Sequence, residues 1–146
     1  KLWMPNAATP SQRGVLSDAQ MVRLHRMRDL ADAGAEMIFG TDWPASAPDA
    51  NPWTGLAGML DRRDPAGNYA GAINPEQAIP LEMALTLFTR NAARAMGMAG
   101  QTSVLSAGAW ADFIILADDI RTMTPAQIGA IEVQETIWKG QTVFAR

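Results

Sequence analysis

The chain has 146 residues, 48% hydrophobic and 18% charged, with twelve Lys and Arg against fifteen Asp and Glu for a net charge of −3. That length suits one ordinary domain burying roughly two thirds of the surface its unfolded form exposes, and its apolar content excludes a disordered tail. The weakly acidic balance points to neither a nucleic acid nor a membrane partner, no apolar run approaches the ~20 residues of a bilayer span, and zero cysteines with one histidine exclude a disulfide scaffold, a thiolate metal site and any site needing several imidazoles from this chain.

Residues 1–16 read as irregular, punctuated by Pro5, Pro10 and Gly14. The opening Lys1-Leu2-Trp3-Met4-Pro5 resembles neither a start nor a signal peptide, so the sequence reads as part of a longer polypeptide. Ser17 or Asp18 can cap a helix over 18–33, because a side-chain oxygen there accepts a bond from an otherwise orphaned N–H. Met21, Leu24, Met27, Leu30 and Ala31 recur along it at three- and four-residue steps and form one apolar face, and Gly34 suits its end. Next, Met37-Ile38-Phe39-Gly40-Thr41-Asp42 is an unalternating apolar run of the kind found in strands buried on both faces. A helix followed by a strand with an acid at its C-terminal end is an α/β arrangement in which active sites occur.

Pro44, Pro48 and Pro52 make 43–52 a loop. A helix over 53–62 follows, closed by Arg62-Arg63 at the negative end of its dipole. Residues 64–79 form a Gly- and Asn-rich loop. Helical pattern returns over 81–88, with Thr89 as a cap for a further segment, 90–96, ended by Gly97. Beyond Gly100 the texture changes. Residues 112–116 are a short strand, Thr124-Pro125 starts one helical turn, and 131–138 and 142–144 are strands joined by a Lys139-Gly140 hairpin turn. The domain boundary is placed near residue 100, giving segments 1–100 and 101–146.

Taken in order, several short segments resemble the C-terminal part of the metal-dependent amidohydrolase superfamily, most of all the amidohydrolase-3 branch that includes the N-substituted formamide deformylases. They are residues 30–35, Phe39-Gly40-Thr41-Asp42-Trp43-Pro44, Asn51-Pro52-Trp53, Phe88-Thr89-Arg90-Asn91-Ala92-Ala93-Arg94-Ala95-Met96-Gly97, residues 108–116 and residues 139–144. The resemblance implies a C-terminal fragment of a (β/α)₈ TIM barrel plus part of a small β-sandwich. Residues 36–42 would be barrel strand eight, 53–97 the helical region after it, and 103–146 half of the sandwich. Thr102-Ser103 and Gly108-Ala109 stand where the family commonly has Gly-Ser and Gly-Lys, a departure confined to the sandwich.

In the family the acid ending strand eight binds the catalytic metal and takes the proton from the attacking water. Asp42 is the matching position, which makes it the catalytic and metal-ligand residue. A carboxylate suits both jobs, as a hard oxygen ligand whose second oxygen accepts the proton. The His-x-His pair, the bridging residue and the later histidines of the family are absent from these 146 residues. The resemblance therefore implies a divalent metal in the full-length protein, zinc ahead of iron or manganese. It implies no metal on this fragment alone, since a catalytic zinc needs about three protein ligands. The substrate class implied is a small-molecule amide or formamide, cleaved at its C–N bond, and this chain alone is expected to be inactive.

Trp43 and Trp53 flank the loop after Asp42, where they serve either as a substrate-pocket wall or as packing on the rim. His25, mid-helix between arginines, reads as structural, with Asp29 at i+4 as a surface partner. Asn91 reads as a tie to the neighbouring loop, and Asp118-Asp119 as a turn. A single barrel strand and half a sandwich leave unpaired edges, so the isolated chain is expected to form homo-oligomers or to associate with the missing N-terminal part. The alternatives are a non-catalytic α/β interaction module and a small-molecule-binding module that uses Asp42 as a hydrogen-bond acceptor.

Overall fold

A computed structural model describes residues 4–45, 47 and 50–146; Pro48 of the expected loop and residues 1–3 lie outside it. Among these residues, seven short α-helices precede or intersperse three strands. They are α1 (Thr9–Val15), α2 (Asp18–Met21), α3 (Met27–Asp32), α4 (Pro52–Asp61), α5 (Leu81–Phe88), α6 (Arg90–Ala95) and α7 (Pro125–Gly129), with β1 (Phe113–Leu116), β2 (Val133–Trp138) and β3 (Gln141–Ala145). The fold is mixed α/β.

Helix α4 is the centre of the packing. Asn51 caps it by accepting the Trp53 N–H at 3.0 Å, and Pro52 fills the first-turn position where its missing N–H costs nothing. Leu56, Ala57 and Met59 are buried on it and form one cluster with Met27, Ile79, Ala84, Leu87 and Ile128. Two glycines on α4 admit neighbours that a methyl group would exclude: a Cβ on Gly55 would sit 2.3 Å from the Phe39 ring, and one on Gly58 would sit 2.6 Å from the Met4 sulfur. Ile128 of α7 lies in the same cluster, so the core spans residue 100. Helix α7 starts at the expected place, where Thr124 and Gln127 form a capping box.

Helix α4 ends at Arg62, which takes a left-handed conformation with φ 64° and is fully buried. Its Nε donates to the Ile73 carbonyl at 2.9 Å, its main-chain carbonyl accepts from the Ile73 N–H at 3.1 Å, and its Nη1 reaches the Met27 sulfur at 3.5 Å. Nη2 finds no hydrogen-bond partner among the described residues. Burial pulls this guanidinium down to about 10, with Glu76 opposing. The dipole partner expected at the helix end is therefore an internal bracket that holds the 63–73 loop.

Four expectations are corrected. The helix read over 18–33 is broken into α2 and α3. Asn74 donates to the Met21 and Leu24 carbonyls at 2.9 and 2.8 Å, and His25 adopts φ 55°, so a side chain some fifty residues away caps the first piece. Residues 9–15, read as irregular, form α1, with Pro10 in its first turn. Thr89 does not cap α6 through its side chain; its hydroxyl donates back to the Leu85 carbonyl at 2.8 Å. Finally, residues 36–42 join no strand ladder, and among the described residues the one sheet has the order β1-β2-β3. Met37 and Phe39 pack against the helical cluster while Ile38 between them is exposed, so the run is not buried on both faces; a strand also needs neighbours for its backbone groups, and none lies beside it among the described residues.

The sheet is antiparallel throughout, pairing Phe113 with Ile137, Ile114 with Thr136, and Thr136 with Phe144. Its hairpin turns at Lys139-Gly140, with φ 50° and 77°, the left-handed pair that a two-residue turn requires. Asp112 ties that turn down: its carboxylate accepts the Lys139 N–H and the Thr102 hydroxyl, both at 2.7 Å, and these bonds hold it below the usual carboxylate range.

Candidate functional site

Asp42 closes a segment that is fastened along its length. Glu36 pairs with Arg94 at 2.8 Å, and Asn91 donates through its side chain to the Met37 carbonyl at 2.9 Å, the tie expected of it. The Phe39 N–H donates to the Leu87 carbonyl at 3.4 Å, and its ring stacks on Phe88 with centroids 3.9 Å apart. Gly55 supplies the other side of that ring's seat. Helices α4, α5 and α6 together thus fix the path of the chain three residues before Asp42.

Asp42 itself is exposed and has φ 60°, a left-handed conformation that is uncommon outside glycine and that Asp tolerates better than most residues. Just after it, Thr41 Oγ1 accepts the Trp43 N–H at 3.2 Å, a hydroxyl-closed turn that sends the chain into the following loop. The two tryptophans part company here. Trp43 is 56% exposed, whereas Trp53 on α4 is half-buried and packs against the central cluster.

No group of three His, Cys, Asp or Glu side chains able to hold a metal occurs among the described residues. Asp42 offers one carboxylate where a catalytic zinc takes about three protein ligands, so the described residues do not by themselves fit the metal the family implies. His25 lies in the break between α2 and α3, half-buried, and the nearby Asp29 pairs with Arg26.

A groove of about 570 Å³ opens beside the loop that follows Asp42. Three segments build it: residues 4–8, residues 44, 45 and 47, and residues 64–69, with Thr54 of α4 between them. Two of its polar side chains, Asn6 and Asp64, are occupied in shaping those segments. Asn6 donates to the Met4 carbonyl and accepts the Ala8 N–H, and the Asp64 carboxylate accepts N–H groups from Ala66, Asn68 and Tyr69 at 2.8–3.1 Å. Sequence reasoning read 64–79 only as a loop and missed Asp64 and Tyr69. The available signal was Asp64-Pro65-Ala66-Gly67-Asn68, in which an acid precedes several free N–H groups and so can gather them.

The sequence profile of the amidohydrolase family matches residues 3–144. The chain belongs to the amidohydrolase family. It is 33% identical over 121 residues to imidazolonepropionase of Agrobacterium fabrum, covering 83% of this chain and 26% of that protein. It is 25% identical over 127 residues to N-substituted formamide deformylase of Arthrobacter pascens, covering 86% of this chain and 22% of that protein. The chain thus spans about a quarter of the length of the curated relatives it matches. In three dimensions it is similar to a crystal structure of an uncharacterized protein, with a TM-score of 0.54 and 23% identity, over 80% of this chain and 25% of that one; that likeness concerns the fold alone.

Proposed function

We propose that the chain is the C-terminal part of a metal-dependent hydrolase that cleaves a C–N bond of an amide or formamide, and that Asp42 is its catalytic carboxylate. The observation that carries this reading is the family match across residues 3–144, with Asp42 exposed at the end of a segment held by three helices. In this reading residues 1–100 are the end of a (β/α)₈ barrel and 101–146 half of a β-sandwich. Residues 36–42 then pair as strand eight only once the neighbouring strands are present.

The overall reaction is R–CO–NH–R′ + H₂O → R–COOH + R′–NH₂. Asp42 takes a proton from the attacking water and passes it to the leaving nitrogen, so the carboxylate ends as it began. Trp43, exposed beside it, and Trp53, half-buried at the start of α4, are the substrate-binding tryptophans of this reading. The divalent metal of the family, zinc ahead of iron or manganese, takes its remaining ligands from outside these residues. This chain alone is then inactive, and its exposed sheet is covered by the rest of the protein or by a second copy.

The test is kinetic. In the full-length protein Asp42→Asn is expected to lower kcat for amide hydrolysis by about 10²–10⁴-fold, since the amide cannot accept the proton. Unchanged kcat, with amide hydrolysis intact, contradicts the role of Asp42. No hydrolysis of any amide or formamide by the intact wild type favours a non-catalytic binding module.

A further inference from the structure

The groove beside the Asp42 loop has a chemical character of its own. Pro44, Ala45 and Ala47 line it, and Pro44 stands two residues after Asp42. Met4 and Pro5 add further apolar surface, and Tyr69, 40% exposed, adds an aromatic face. The volume of about 570 Å³ is of the size that small-molecule sites use. Among the described lining residues Asp64 is the one ionised group, and no cation offsets it.

From this lining, and resting on the hydrolase reading above, we infer that the groove is the subsite for the substituent of the amide, that it takes a neutral apolar group, aryl or alkyl, and that Tyr69 determines its specificity. Three features support the assignment. The groove adjoins the loop carrying the reacting carboxylate. Of its polar side chains, Asn6 and Asp64 already hold backbone groups and fix the shape of the walls, which leaves the uncharged Thr54, Asn68 and Tyr69 as the further polar lining. The remaining negative charge of Asp64 repels a substituent that carries a carboxylate. Tyr69 contributes contact area at little entropic cost, having few rotatable bonds. Asp64 is a positioning residue, since its carboxylate accepts the Tyr69 N–H at 3.1 Å and closes the turn that presents the ring.

The experiment measures equilibrium binding of acetamide, acetanilide and 4-acetamidobenzoate to the full-length protein carrying Asp42→Asn, which leaves the probes uncleaved. Acetanilide is expected to bind about tenfold or more tightly than acetamide, and 4-acetamidobenzoate about tenfold more weakly than acetanilide. Tyr69→Ala is expected to weaken acetanilide about tenfold and leave acetamide unmoved, and Ala45→Trp, which fills the groove, to do the same. Both positions are exposed, so neither change threatens the fold. Asp64→Asn should narrow the gap between the neutral and the anionic probe. Acetanilide binding that ignores both groove variants, or no acetanilide binding at all, overturns the inference. Failure of the wild type to hydrolyse any amide, with groove-dependent binding intact, overturns the reaction and leaves the groove's ligand class standing.

Discussion

Helix α4 and the β1-β2-β3 sheet treat apolar side chains in opposite ways. On α4, Leu56 and Met59 are 1% and 0% exposed, and even the arginine that ends the helix is buried. On the sheet, Trp138 and Val143 are 57% and 56% exposed, and Phe113, Ile114, Ile115 and Phe144 are all open to solvent. The sheet is the more apolar of the two in sequence, with ten apolar residues among its fifteen against five among the ten of α4. The difference lies in their neighbours. Helix α4 finds α3, α5 and α7 within the chain, whereas the sheet is one layer whose edges, β1 and β3, are unpaired among the described residues. A sheet needs a second layer to bury a face. The contrast teaches that this chain holds a core of its own around the elements that position Asp42, and a sheet whose burial depends on something further.

Changes to the two regions should therefore differ in size. Gly55→Ala puts a methyl group into the Phe39 ring and forces either the ring or α4 to move. We expect a loss of about 1–3 kcal/mol in denaturant unfolding. In the full-length protein kcat should fall as well, because Phe39 lies three residues before Asp42. Retained stability and activity would show that the Phe39 seat does not position the carboxylate.

Phe144→Ser, on the open sheet, should change the stability of the isolated chain by less than about 0.5 kcal/mol. It should nevertheless reduce self-association in sedimentation experiments, since it removes part of the exposed apolar face. If it destabilised the isolated monomer as much as Gly55→Ala does, the contrast between the regions would collapse.

The smallest expected effect is electrostatic. Hydrogen bonds from the Arg121 side chain and backbone bring the Asp119 carboxyl from its ordinary 3.8 down to about 2. Because the folded value is the lower one, its contribution is present above pH about 3.8 and is lost as the pH falls through about 2. An NMR titration should place the Asp119 midpoint near the lower figure, and Arg121→Gln should return it towards the ordinary one. An unshifted midpoint would dissolve this turn's ion pair.

Much of the local structure was legible in the sequence. The helix over 53–62 matches α4 to within a residue, Lys139-Gly140 marked the hairpin turn, Thr124-Pro125 the start of α7, and Asn91 a tie to the segment before Asp42. What escaped was set by distant partners. Asn74 ends α2 from some fifty residues away, and no periodicity in residues 18–33 announces it. The apolar run at 37–39 carries the same hydrophobic signal whether strands or helices lie beside it, and here its neighbours are helices. Arg62 looks like a solvent-facing charge at a helix end, and only the return of the chain at Ile73 reveals its burial. Of the candidate site, Asp42 was legible through the family-like stretch around it, whereas the groove needs three separate segments brought together.

In the proposed role, Asp42 supplies one carboxylate to a metal centre completed by the rest of the protein. Metal content measures this most directly, by zinc titration of the 146-residue chain, of the full-length protein, and of full-length Asp42→Asn. No stoichiometric zinc is expected on the chain alone, with bound zinc on the full-length protein and weakened binding in the variant. Tight zinc binding by the isolated chain, or full-length binding indifferent to Asp42→Asn, would contradict it.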